Sequence, residues 1–84
     1  MPPRSRLVWL QIADQQYHDL PEDLRQLADR RIAALLENPT VDTDAVYNAR
    51  SDQWSVPLGD NGFLFYAVVR DPTTLIILRV VSLA

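Results

Sequence analysis

Tyr66 and Arg79 are the pair in this sequence whose residue types can do chemistry together. A phenol and a guanidinium opposite each other on neighbouring strands can hold an anion between them, or stack as an aromatic–cation pair worth roughly 0.5–1 kcal/mol. Arg70 falls on the same side of the same predicted strands. Most other chemistry is excluded by composition. The 84 residues contain no cysteine and one histidine, His18, so no thiolate nucleophile and no multi-histidine metal cluster can form. Lysine is absent, and all eight basic residues are arginines. Asp42, Asp44 and Asp52 gather in one connection but lack the glycine and spacing of a calcium loop. No metal and no cofactor are expected. His18 reads as a surface histidine. Arg25, Arg30 and Arg31, interleaved with Glu22, Asp29 and Glu37, read as a solvated mixed-charge face. Trp9 and Trp54 read as core.

The length predicts a single domain over residues 1–84, able to bury roughly 60–65% of its unfolded surface. A formal net charge of −3 argues against a broad electrostatic grip on nucleic acid but leaves room for a local arginine patch. The apolar part of MPPRSRLVWLQIAD is too short for a signal peptide. The apolar C-terminal stretch is broken by Arg70, Asp71, Pro72 and Arg79, where a membrane span needs about 20 clean residues. A cytoplasmic protein is expected.

The elements that must position these residues follow from hydrophobic periodicity. Arg6 to Leu10 is a short apolar strand. Ile12, Ala13, Tyr17 and Leu20 recur at helical spacing and predict a short first helix. Pro21-Glu22-Asp23 opens a second, since proline is tolerated in a first turn and acids favour the positive end of the helix dipole. Leu24, Leu27, Ala28, Arg31, Ile32, Leu35 and Leu36 form its stripe, and Asn38-Pro39 stops it after about 18 residues. Such a helix spans roughly 27 Å, the length of an eight-residue strand. Ala45 to Asn48 is a short extended piece. Gln53 to Leu58 alternates as a half-buried strand, and Pro57 suits an edge or non-donating position.

The stretch GFLFYAVVRDPTTLIILRVVSL, from Gly62 to Leu83, then predicts two long strands, Phe63 to Val69 and Leu75 to Val81. Turns are expected at residues 59–62 and 71–74, the second helped by Asp71 and Pro72. That register pairs Leu58 with Phe63, Arg70 with Leu75, and Tyr66 with Arg79. One face then holds Trp54, Val56, Leu58, Phe63, Phe65, Ala67, Val69, Ile76, Leu78 and Val80, for the helices to cover. The other holds Leu64, Tyr66, Val68, Leu75, Ile77, Arg79 and Val81 beside Gln53, Ser55, Pro57 and Arg70. It is too apolar for water, so those seven residues form the expected partner-binding surface. The fold class is α+β in two layers: two N-terminal helices on one face of a small, largely antiparallel sheet, in the order β-α-α-β-β-β.

This order resembles the RelE/ParE toxin superfamily of type II toxin–antitoxin systems. LPEDLRQLADRRIAALLENP is the long helix, and WSVPLGDNGFLFYAVV with LIILRVV is the sheet. The resemblance runs from about Leu7 to Val81. It implies a toxin neutralised by a cognate antitoxin, which inhibits growth or translation, with the ribosome and messenger RNA as further partners if the chain cuts RNA. Catalytic roles for Tyr66, Arg70 and Arg79 are what the resemblance implies in that case: they would orient and neutralise phosphate, without a metal. The basic residues usual in RNA-cutting members have no match at Ser55, Pro57 or Leu64, and Ser82-Leu83-Ala84 is neither basic nor aromatic. The alternative expectation is a non-catalytic member of the fold acting only as a protein-binding module. A homodimer through the same surface is a further open alternative.

Overall fold

The computed structural model describes residues 6–38, 44–70 and 73–83. The chain runs β1 (Arg6–Trp9), α1 (Gln11–His18), α2 (Glu22–Glu37), β2 (Val46–Asn48), β3 (Gln53–Pro57), β4 (Gly62–Val69) and β5 (Thr74–Ser82). The five strands form one mixed sheet in the order β1-β5-β4-β3-β2. β1 lies parallel to β5, and the other pairs are antiparallel. The expected α+β architecture is therefore present, with the short extended piece before residue 49 enlisted as an edge strand.

Both helices lie on one face of the sheet. In α2 the buried side chains are Leu24, Ala28, Ile32 and Leu35, a stripe at spacings of four and three. Glu22 and Asp23 occupy its first turn, where the helix dipole favours acids. Its C-cap, Asn38, is extended (φ −154°, ψ 97°), the conformation that a following proline imposes. In α1, Ala13 packs inward, and Tyr17 leans on Trp9 with ring centroids 5.1 Å apart. The Tyr17 hydroxyl donates to Asp29 Oδ1 at 2.5 Å and so ties α1 to α2. The core joins these side chains to Val56, Leu58, Leu64, Tyr66, Leu75, Ile77 and Val80 of the sheet.

The register differs from the expected one, and the difference reverses the faces. The β3–β4 loop is three residues long: the Leu58 N–H donates to the Gly62 carbonyl at 2.8 Å, and Pro57 pairs with Phe63. Gly59 makes this shorter loop accessible by taking φ +59°. A one-residue shift sends every β4 side chain to the opposite face. Leu64 and Tyr66 are consequently fully buried under the helices, while Phe63 is 39% exposed. At the other end of β4, Val69 pairs with Thr74 and Tyr66 with Ile77, so Leu75 and Ile77 are buried as well. Between Phe65 and Tyr66 the register slips by one residue, and β5 carries the extra residue. Beyond that bulge Phe65 stands opposite Arg79. The expected turn at Asp71 and Pro72 lies outside the described residues.

Five of the seven residues expected on the partner-binding face, Leu64, Tyr66, Val68, Leu75 and Ile77, therefore belong to or pack against the core. Arg79 and Val81 are on the helix-free face. The apolar residues expected under the helices, Phe63, Phe65, Ala67, Val69 and Ile76, take their place there. Both faces are apolar in sequence, so hydrophobicity alone could not choose between them.

Candidate functional site

The concave feature of the helix-free face is built from β2, β3, β4 and β5 together. Val46 and Asn48 of β2, Ser51 of the β2–β3 turn, Gln53, Trp54 and Ser55 of β3, Phe65 of β4 and Arg79 of β5 line an open depression of about 330 Å3. Among the described residues its one charged group is Arg79, whose Cζ sits 4.2 Å from the centroid of the Phe65 ring. That contact is favourable because the ring face carries negative charge density. It follows directly from the bulge, which sets Arg79 across from Phe65. A second interaction fixes the same place: Gln16 of α1 accepts the Val80 N–H at 2.8 Å, on the stretch of β5 that β1 does not reach.

The floor of the depression is stiffened from the β2 side. Asn48 Oδ1 accepts the Arg50 N–H at 3.0 Å and holds the turn. Asp52 adopts φ 53° and accepts the Tyr47 hydroxyl at 2.5 Å. That hydrogen bond, with burial and the carboxylate charge adding to it, pushes the Tyr47 phenol above its ordinary 10.0. On the helix side of the sheet Tyr47 packs against Trp54 with the rings tilted by 49° and their centroids 4.9 Å apart, and Trp54 lies nearly parallel to Tyr66 at 6.5 Å. An aromatic row thus runs from the sheet edge into the core behind the depression.

The three residues that the sequence nominates for catalysis do not converge. Tyr66 is fully buried and faces the helices, whereas Arg79 is on the open face. Arg70 is exposed beyond the end of β4, five residues from Phe65 and so roughly 17 Å along the strand. The pairing of Tyr66 with Arg79 is replaced by Phe65 with Arg79. Phe65 went unrecognised because its partner depends on a bulge that no residue pattern announces. Gln16 carries no sequence signal for its role, since its bond partner is 64 residues away.

The remaining candidates have local roles. His18 sits 3.4 Å from Asp14 one helical turn earlier, with both side chains exposed. Asp44 receives Arg31 at 3.1 Å, and Asp42 lies outside the described residues. Trp9 and Trp54 are half-buried and pack against the core as expected. Among the described residues no group of three or more His, Cys, Asp or Glu side chains is placed to hold a metal ion. Nor is any helix there long and apolar enough to cross a membrane.

No protein-family model matches the sequence, and no curated protein matches it. Solved structures do match its three-dimensional form. A YoeB/ParE toxin from Agrobacterium tumefaciens superposes with a TM-score of 0.80 at 13% identity, over 92% of this chain and 96% of that one. The chain has the RelE/ParE toxin fold. The RelBE2 toxin–antitoxin complex from Mycobacterium tuberculosis gives a TM-score of 0.76 at 19% identity, covering 95% of this chain and 99% of that one. The intact E. coli RelBE toxin–antitoxin complex gives 0.80 at 16% identity, over 93% and 95%. With these three structures, then, the chain shares its fold over 92–95% of its length while sharing fewer than one residue in five. Its depression must be read from its own side chains.

Proposed function

We propose that this chain is the toxin of a type II toxin–antitoxin pair, held inactive by a cognate antitoxin and inhibiting growth when released, and that it acts by binding its target rather than by cutting RNA. Support for the toxin role comes from the fold, whose solved examples include toxins in complex with antitoxins. Support for binding comes from one observation: among the described residues, Arg79, resting on Phe65, is the single charged group lining the depression. Cleavage at a 2′-hydroxyl needs a group to take its proton, plus cations around the phosphorane and the leaving oxygen. Asn48, Ser51, Gln53 and Ser55 can orient a ligand but supply neither a base near neutrality nor positive charge.

Inducing the chain alone in a bacterium and mapping messenger RNA 5′ ends tests this. Growth arrest without new ends, relieved by co-expressing the antitoxin, is the expected result. Codon-phased cuts that vanish in Arg79→Ala would overturn the binding reading. Unimpaired growth on induction would overturn the toxin reading itself.

A further inference from the structure

The parallel pairing of β1 with β5 divides the backbone groups of β1 by parity. Arg6 and Leu10 donate their N–H groups to the Thr73 and Ile77 carbonyls, and Val8 between them points the same way by register. The N–H and C=O groups of Leu7 and Trp9 therefore point away from the sheet, and they have no backbone partner among the described residues. An edge of this kind is a template for another strand unless charge, proline or a bulge protects it. Leu7 to Leu10 carries no charge and no proline, and β1 follows β5 without a register shift. Apolar side chains crowd the same border: Leu7 is 38% exposed, Val8 44%, Leu10 42% and Ile12 58%. Leu7 and Trp9 lie on the helix side, paired with the buried Leu75 and Ile77, whereas Val8 lies on the open face. The opposite edge, β2, is three residues long, and Asn48 closes its end on the Arg50 N–H.

We propose that β1 is a contact between two copies of this chain, paired antiparallel edge to edge about a two-fold axis at Val8, so that their five-stranded sheets become one. Register selects this occupant. Residues opposite each other in an antiparallel pair share a face, so only positions of like parity can meet. Centred on Val8, Leu7 of each copy exchanges both backbone hydrogen bonds with Trp9 of the other, which uses every outward group of the strand. Centred on Leu7 or on Trp9, one of the two falls opposite a residue outside β1. The side chains agree with the backbone. Val8 meets Val8 on the open face, Leu7 meets Trp9 on the helix side, and Arg6 falls opposite the exposed Leu10, which its stem can cover. The two Arg6 charges stand roughly 14 Å apart, beyond the screening length at physiological salt. The contact is isologous and closes at two copies. A border this short makes a weak dimer, with a Kd on the order of 10–100 µM. The depressions stay free and open on the same side of the joined sheet, their Phe65 residues roughly 25–30 Å apart. A target that repeats one motif at that distance gains avidity. The dimer rests on the geometry of β1 and is independent of the toxin reading.

Sedimentation of the whole chain from about 1 µM to about 1 mM tests this, and a reversible monomer–dimer equilibrium is the expected result. Val8→Lys and Val8→Glu each set like charges across the two-fold axis and should weaken self-association at least about tenfold, with melting curves unchanged at about 1 µM. Mixing the two variants should restore a dimer that contains one of each. The chain has no cysteine, so Val8→Cys supplies a single thiol. A residue facing its own copy in a pair without backbone bonds has its Cα about 4.5 Å from the other, within reach of a disulfide. Oxidised glutathione should therefore link Val8→Cys into dimers and leave Val69→Cys, on the same open face, unlinked. A chain that stays monomeric to about 1 mM, whether or not its edge takes up a strand of another protein, would overturn the proposal. So would a dimer that Val8→Lys leaves intact, a mixture of the two charged variants that does not associate, or linking of Val69→Cys as fast as Val8→Cys.

Discussion

Gln16 in the first helix holds the Val80 N–H in the last strand at 2.8 Å, one residue past Arg79 and beyond the reach of β1. The bond couples α1 to the bulge that brings Arg79 over Phe65. Gln16→Leu keeps the apolar stem and leaves a partly buried N–H without its acceptor. The expected cost is about 1–2 kcal/mol, seen as a drop in Tm of roughly 4–8 °C per kcal/mol for a domain of this size. Hydrogen exchange at Val80 should accelerate more than at Leu64. Equal acceleration throughout the sheet would show that Gln16 does not act on the bulge.

A double-mutant cycle isolates the Arg79–Phe65 contact. Arg79→Ala and Phe65→Leu should couple by about 0.5–1 kcal/mol in unfolding free energy, the range for an exposed cation over a ring. A coupling indistinguishable from zero would mean that the two side chains are neighbours without attraction.

The observed register makes opposite demands on the two faces of β4. Leu64→Ala should cost about 2–5 kcal/mol because Leu64 is fully buried, whereas Val69→Thr on the open face should stay within about 0.5 kcal/mol. Gly62 adds an independent check. A Cβ there would meet the Val81 carbonyl oxygen at 2.7 Å, so Gly62→Ala should cost about 1–3 kcal/mol. Urea titrations read all three, and a mild Leu64→Ala would restore the alternative register.

Two tyrosines should titrate late. Tyr17 and Tyr47 each donate a hydrogen bond to a carboxylate, Asp29 and Asp52, and for both that bond is the leading cause of a pKa above 10.0. A phenol whose folded-state pKa is raised binds its proton more tightly in the folded chain. Its contribution to stability is therefore complete below pH 10 and is lost as pH rises through the folded value. Absorbance at alkaline pH should show Asp52→Asn moving the Tyr47 transition back toward 10 and Asp29→Asn doing the same for Tyr17. A Tyr47 transition unmoved by Asp52→Asn would remove the hydrogen bond as its cause.

Much of this architecture is legible in local patterns. The α2 stripe, its stop at Asn38, the five extended segments and the two-layer α+β order follow from spacing and from the stereochemistry of proline. Local pattern fails at the faces of β4 and β5, where nearly every residue is apolar. Leu64 and Phe63 are equally plausible core residues by composition. Which is buried depends on whether the loop after Leu58 has three residues or four, and Gly59-Asp60-Asn61-Gly62 is compatible with both.

The sequence by itself determined the chemical inventory: arginine as the only strong cation, no thiol, a single imidazole, and a sheet too apolar to face water on either side. Only the tertiary structure decided which arginine meets which ring. Side chains alternate along a strand, so one loop residue and one bulge were enough to hide Tyr66 and to set Arg79 on Phe65 in its place. Those two choices depend on contacts between β4, β5 and α1 that lie far apart in the chain, where no local pattern can record them.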